Sequence, residues 1–252
     1  MRNLRIAALS TLALVAALPA SRLQAQDGTL AFTYWITVRP GSAPGFEAAW
    51  KEHLAFRRAN GDSWTWGVLQ QQFGDESGSY VIRSAGHTWA DMDAAMASPR
   101  QAQLQAHLGA TVTPLVESVR SGITQVDLAV SVPPEAGTTV NVAPVTNFRI
   151  RPSATAAFDA GLAAVREATM ATGYPFRYVV LRRIWGGPGF TVAVAGQAPN
   201  FAALASGDGL EQMLVSHFGP ARAQEIFQPM FEAIEASESS ILVVRTDLSS
   251  PQ

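Results

Sequence analysis

The sequence predicts an α+β protein made of two tandem βαββαβ units, on three observations. The first is a long-range repeat. Phe46-Glu-Ala-Ala-Trp50 is echoed by Phe158-Asp-Ala-Gly-Leu162, and the same offset of 112 pairs Arg39-Pro40 with Arg151-Pro152, Gly61 with Gly173 and Trp66 with Tyr178. Further on, Leu104-Gln-Ala-His107-Leu-Gly109 recurs as Leu214-Val-Ser-His217-Phe-Gly219 at an offset of 110. A period this long is a small domain copied in tandem, not a solenoid unit. The second observation is apolar alternation of period two in the strand segments, and the third is helical spacing between them.

In the first copy, Phe32, Tyr34, Ile36 and Val38 alternate with Thr33, Trp35, Thr37 and Arg39, the pattern of a half-buried strand, which Pro40-Gly41-Ser42 ends. Phe46, Trp50, His53, Leu54 and Arg57 then recur at helical spacing from Pro44 or Gly45 to Asn60, with Asn60-Gly61 as the stop signal. His53 is matched by Val165, which places it on the core side of that helix. Trp64 to Gln72 and Tyr80 to Ala85 read as a hairpin around Gly74 to Gly78. Thr88 caps a short helix through Met96, Ser98-Pro99 opens a longer one to about Val119, and Ile123 to Val130 closes the unit.

The second copy repeats the order. Val145 to Ile150 is a strand, Ala154 to Thr172 a helix, and Phe176 to Trp185 with Phe190 to Ala195 a hairpin around Gly186-Gly-Pro-Gly189. Asn200 caps a short helix, Gly209 to Ser237 is mostly helical, and Ser240 to Thr246 is the last strand. The expected organisation is repeat 1 over 29–131, a linker over 132–141 rich in Pro, Gly and Thr, and repeat 2 over 142–248. This is the ferredoxin-like unit, whose four-stranded sheet carries helices on one face only. Its bare face needs a second sheet, and the other copy supplies one, giving an intramolecular, pseudo-dimeric α/β barrel.

Residues 1–25 read as a signal peptide. Arg2 and Arg5 precede the apolar run Ile6 to Leu18, Pro19-Ala20-Ser21 breaks it, and Ala25 is the favoured cleavage point with Ala20 second. The run is too short to span a bilayer, so no membrane partner is expected after cleavage and the mature chain would be periplasmic or secreted. There is no cysteine, which excludes disulfides, thiolate catalysis, Cys-ligated metal and a lipid-modified Cys. Losing Arg2, Arg5 and Arg22 leaves 15 of the 18 basic residues against 20 acidic ones, with no basic stripe, so no nucleic acid partner is expected.

The opening Tyr34-Trp-Ile-Thr-Val-Arg-Pro-Gly41 into Phe46-Glu-Ala-Ala-Trp50, the segment Thr88-Trp-Ala-Asp-Met-Asp93 and the Ser98-Pro99 helix start resemble the dimeric α/β-barrel superfamily in a fused, two-copy form. The resemblance covers nearly the whole mature chain. That superfamily includes antibiotic-biosynthesis monooxygenase-like proteins, haem-degrading enzymes and chlorite dismutase-like haem proteins, and such a superfold implies no single activity. The monooxygenase-like branch orients substrate with an Asn on the first strand, the place Asn147 holds. The haem branch takes an axial histidine from a helix covering the sheet, as His107 or His217 would be. Its Ser-Pro-His-Phe pattern is not met here, because Arg100-Gln101 follows Ser98-Pro99.

The residues themselves leave two readings open at each candidate. His107 and His217 flank apolar stripes, and each is either a ligand or a histidine satisfied by a neighbouring carbonyl. Trp64, Trp66 and Tyr178 form either an aromatic wall for a flat ligand or ordinary core packing. Arg39, Arg151, Arg149 and Arg182-Arg183 either clamp a carboxylate or lie at solvated strand ends. His87 sits in a turn. Asn147 faces Trp35 across the repeat, so the copies are unequal, and His217 with Asn147 is the favoured working site.

The function expected is therefore an exported protein with a pocket between sheet and helices that binds a small apolar or aromatic molecule, with no cofactor and no metal. The alternatives are a cofactor-light monooxygenase-like or haem-binding enzyme, in which His217 would be the metal ligand, and a structural or protein-interaction module. A homodimer is left open.

Overall fold

The structure is a computed structural model and describes residues 28–205 and 209–251. The expected signal segment lies outside the described residues. The first half runs β1 (Leu30–Val38), α1 (Ala43–Ala59), β2 (Gly67–Phe73), β3 (Tyr80–His87), α2 (Trp89–Ala97), α3 (Gln101–Thr111) and β4 (Val116–Val126). The second half runs β5 (Val142–Ile150), α4 (Thr155–Thr172), β6 (Arg177–Trp185), β7 (Thr191–Gln197), α5 (Leu210–Phe218), α6 (Pro220–Glu232) and β8 (Ile234–Val244).

The eight strands form one closed antiparallel barrel in the order β1-β3-β2-β8-β5-β7-β6-β4. Each half contributes four neighbouring strands, and two seams, β2 to β8 and β4 to β6, join the halves edge to edge. The sheets therefore do not merely face each other. Joining their edges removes every free row of backbone donors and acceptors. At the β4–β6 seam, a Cβ on Gly122 would lie 2.9 Å from the Trp185 carbonyl and 3.2 Å from the Trp35 ring, so the close approach requires glycine there.

The helices lie outside the barrel, and strand alternation sends one set of side chains to them and the other inward. In the first half, Ile36, Trp66, Val68, Tyr80 and Ile82 pack against Phe46, Trp50 and Leu54. In the second, Ile150, Tyr178, Val180 and Val192 pack against Phe158, Leu162, Leu214 and Met230. His53 is fully buried in the first core, as its match to Val165 implies.

Several local signals are realised. Thr88 and Asp91 form a reciprocal capping box, Thr88 Oγ1 accepting from the Asp91 amide at 3.2 Å and the Asp91 carboxylate accepting from the Thr88 amide at 2.7 Å. Asn200 Oδ1 accepts from the Ala203 amide, Asn60 is a helix C-cap, and Gly173 ends α4 in the left-handed region.

Two helices are shorter than expected. The helix expected to reach Val119 stops at Thr111, because Pro114 supplies no amide to continue it, and β4 begins at Val116 rather than Ile123. The stretch 209–237 breaks at Gly219 (φ 79°) before Pro220, and its end, Ile234 to Ser237, belongs to β8. Glu, Ala and Ser in that stretch suit a helix locally, yet pairing with β5 overrides the preference. Ser98, expected to open α3, instead ends α2, while its carbonyl accepts from the Gln101 amide.

Two crossing segments lock the halves together. After β4, residues 127–132 lie on the second half. Asp127 N donates to Val180 O, Val180 N to Ser131 Oγ, and Val132 and Tyr178 exchange backbone bonds. After β8, residues 245–250 make the matching contacts on the first half. Arg245 N donates to Val68 O, Val68 N to Ser249 Oγ, Trp66 N to Ser250 Oγ, and Ser250 N to Trp66 O. The stretch read as ending a strand at Val130 is thus a clamp. Arg245 adds ion pairs to Glu47 (2.7 Å) and Asp247 (2.9 Å), and Trp50 Nε1 donates to Leu248 O at 2.9 Å. Arg182 pairs with Asp127 and Asp159 on the other side.

Leu248 is wholly buried among α1 and β2. Leu248→Ala is expected to lower stability by about 3 kcal/mol, the usual cost of a cavity in a core. Equilibrium urea unfolding checks this, and a loss under about 1 kcal/mol would mean that the segment does not hold the halves.

Candidate functional site

The expected aromatic wall is part of the helix–sheet core. Trp66 is 5% exposed, edge-on to Trp50 at 6.4 Å, with the Arg57 guanidinium 4.9 Å above its ring. Trp64 stacks on His87 at 3.9 Å and on Phe32 at 5.1 Å. The two Trp side chains border a space of about 90 Å³ beside Arg57, Asp62 and Ser250. That is far below the few hundred Å³ of a ligand site. His87, read as a turn residue, is buried at the end of β3 and hydrogen-bonds Ser84 Oγ through Nε2 at 2.7 Å. Tyr178 is buried in the second core, and that burial pushes its phenol up to about 12.

The two repeated histidines lie on the outer helices. His107, on α3, stacks on Phe56 at 4.0 Å; its Nδ1 lies 3.2 Å from His53 Nδ1 and 3.3 Å from Thr111 Oγ1. His217, on α5, sits edge-on to Phe218 at 4.5 Å, with Nε2 3.7 Å from Glu167. Arg39 and Arg151 each donate to a carbonyl, of Pro114 and Glu232 respectively, and so fasten the chain leading into β4 and β8.

The large space is elsewhere. A cavity of about 760 Å³ fills the barrel interior, bordered by the inward residues of all eight strands. An eight-stranded barrel is just wide enough either to pack its own side chains or to hold one small ligand. Here the inward set is small in the second half, where Ala193 and Ala195 on β7 face Ala143, Val145 and Asn147 on β5. Of the six candidates, Asn147 alone is on this wall, between Glu238 and Ala193 on the neighbouring strands. Trp35 is on the wall as well. The Trp35/Asn147 difference therefore shapes the barrel interior and not a space under the helices.

Among the described residues, several polar atoms on the wall have no hydrogen-bond partner: Arg83 Nε and Nη2, Arg183 Nε, Gln71 Nε2, Gln197 Oε1 and Thr124 Oγ1. Burial holds the Arg83 guanidinium down at about 10, and lowers Arg183 too, helped by Arg120 and opposed by Glu238. Arg183 lies over the Trp35 ring at 4.8 Å. Of the arginines read either as a carboxylate clamp or as solvated strand ends, Arg149 and Arg183 border this space, and Arg83, Gln71 and Gln197 join them without having been candidates. Period-two alternation is the usable signal, since Arg83, Arg183, Gln71 and Gln197 each fall on the face of their strand opposite the residues that pack against the helices.

No family model matches the chain, and no curated protein matches it. Solved structures do. A proposed monooxygenase from Lactobacillus acidophilus superposes with a TM-score of 0.55 at 9% identity, covering 86% of this chain and 94% of the other. An anthrone oxidase-like protein gives 0.53 at 15%, covering 88% and 93%. A chlorite dismutase variant from Candidatus Nitrospira defluvii gives 0.51 at 11%, covering 86% and 92%. This is the dimeric α/β-barrel fold.

Within the dimeric α/β barrel, the haem that the superfamily resemblance implies needs an open iron position beside a histidine. The cavity wall carries no histidine, and His107 and His217 are packed on the outer helices. These residues do not form a haem site, and no step is derived through one. Among the described residues no group of three His, Asp or Glu could hold a metal ion, and no helix is long and apolar enough to cross a membrane.

His53 provides a pH test. Burial, then Arg57 and His107, hold its pKa at about 4 against the ordinary 6.5. The unfolded chain takes up a proton below about 6.5 and the folded chain does not until about 4. Stability is therefore full above 6.5 and declines as pH falls through that window. His53→Val, copying Val165, is expected to flatten the decline in urea midpoints between pH 6.5 and 4. An unchanged slope would assign the proton uptake to another group.

Proposed function

We propose that this chain is an exported small-molecule-binding protein whose ligand occupies the barrel interior. One observation carries the reading: a cavity of about 760 Å³, apolar over most of its wall, with a few convergent polar atoms lacking protein partners. That size and wall are those of a ligand site. The pocket expected between sheet and helices is replaced in this reading by the barrel, because the helix–sheet cores are filled. Export rests on residues 1–25, where Arg2 and Arg5 precede an apolar run.

We further propose that residues 29–131 and 142–248 descend from one duplicated unit. The 112-residue offset supports this, as do the matched clamps in which Val68 and Val180 each donate to a serine from the other half. In this reading the working site is single and shared, since both halves wall it.

Ala193 lies on the cavity wall between Asn147 and Leu181. Ala193→Trp is expected to take up part of the space and weaken binding of a neutral aromatic probe such as naphthalene. The wild type is expected to take up the probe in calorimetric titration. Probe affinity left unchanged by the substitution, in a variant with unchanged circular dichroism, would rule out this part of the barrel interior as the site.

Oxidation of the bound molecule is the second reading, favoured by the position of Asn147 on the cavity wall and by the oxidase-like structures of the same fold. It predicts oxygen consumption with anthrone as the probe substrate. Asn147→Ala should then reduce the rate by about tenfold, the worth of one hydrogen bond to a reacting molecule. No turnover by the wild type would remove this reading and leave binding.

A further inference from the structure

We propose that the barrel cavity is a site for an organic anion, specifically a carboxylate with an apolar or aromatic body, anchored by Arg83 with Arg183 as the second cation. The proposal rests on the cavity being the ligand site and names the class of ligand it takes.

Arg83 lies on β3 between Thr33 of β1 and Gly67 of β2. Gly67 has no side chain, so nothing from β2 reaches across to it at that position. Its Nε and Nη2 are sealed from solvent and have no protein partner. Those two nitrogens are adjacent donors on one edge of the guanidinium, the edge that matches the two oxygens of a carboxylate. Among the described residues no carboxylate acts on Arg83, and burial is what perturbs it.

The other charges on the wall do not supply the missing anion. Glu76 is taken by Arg120 at 2.6 Å, and Arg149 pairs with Glu235 at 3.1 Å. Glu238 acts on Arg183, whose guanidinium rests on Trp35 and whose Nε is unpartnered. Burying a charge without a partner is strongly unfavourable unless something compensates it. A ligand anion delivered to the Nε–Nη2 edge is that compensation.

The rest of the wall argues for a carboxylate on an apolar body over inorganic phosphate. Leu69, Val81, Val145, Val179, Leu181 and Leu242 surround the space, and one guanidinium edge lacks a hydrogen-bond partner. A phosphate would leave that apolar volume unfilled and would ask for more donors than one edge supplies. Trp35 offers a face for an aromatic body, and Gln71, Gln197 and Thr124 are placed to read its polar substituents.

The test is calorimetric titration of the mature chain with 2-naphthoate, its uncharged analogue 2-naphthamide, and inorganic phosphate. Naphthoate is expected to bind one per chain, at least about tenfold tighter than the amide, the worth of a charge-assisted hydrogen bond. Arg83→Met is expected to equalise acid and amide, and to raise the melting temperature of the ligand-free protein by relieving an unpaired buried charge. Arg83→Lys should keep part of the preference. Should Arg83→Met not fold, Arg183→Gln serves in its place, and it should weaken naphthoate more than the amide. Equal binding of acid and amide by the wild type would overturn the anion assignment while leaving the cavity as the ligand site. Phosphate binding tighter than naphthoate would overturn the carboxylate class. Binding of none of the three would overturn both the assignment and the site.

Discussion

Barrel closure is the constraint on which the rest of the molecule depends. A four-stranded βαββαβ sheet has two raw edges and one face without helices, and where that face is apolar both are liabilities in water. Both liabilities are removed at once when β2 meets β8 and β4 meets β6. The seams are reinforced by the segments that leave β4 and β8, because each crosses to the opposite half and pairs with the strand beside the seam. Val68 and Val180 each donate their amide to a serine hydroxyl from the other half, and Trp66 and Tyr178 sit at matched positions against the same segments. Neither half completes its own hydrogen bonding alone.

Closure also decides where the free space goes. The outer face packs helices in two dense cores, one around Trp50, Trp66 and Tyr80, the other around Phe158, Leu162 and Leu214. The inner face has no helix to meet, and eight strands enclose more room than Ala143, Ala193 and Ala195 fill. Residues that would be solvated on an open sheet are carried inside with it, Arg83, Arg183, Gln71 and Gln197 among them. Their unpaired atoms follow from topology, which explains why two nitrogens of the Arg83 guanidinium are shut from solvent without a partner among the described residues.

The two halves differ where the cavity is and agree where the cores are. Phe46 and Phe158 are both wholly buried and Trp66 matches Tyr178, so the outward pattern is nearly common to both. Inward, Trp35 stands opposite Asn147, and the Arg183 guanidinium rests on Trp35 from across the β4 seam. The interior is thus a single asymmetric cavity walled by both halves.

Much of the local structure was legible in the sequence because it is set by near neighbours. Period-two alternation placed β1, the Thr88 and Asn200 caps followed from side chains that bond their own backbone, and the match of His53 to Val165 placed it in the core. Alternating strand and helix periodicity carried the α+β class. Composition could not place the stretches 116–122 and 234–239, whose strand state comes from partners on β1 and β5, between 78 and 93 residues away in the chain. Nor could it give the site. Which face of a strand becomes a packed core and which a cavity depends on how the sheet closes, and only the tertiary structure fixes that. The sequence determined the units and their alternation; closure determined that the inward set, headed by Arg83, surrounds the space, because a cavity belongs to no single segment.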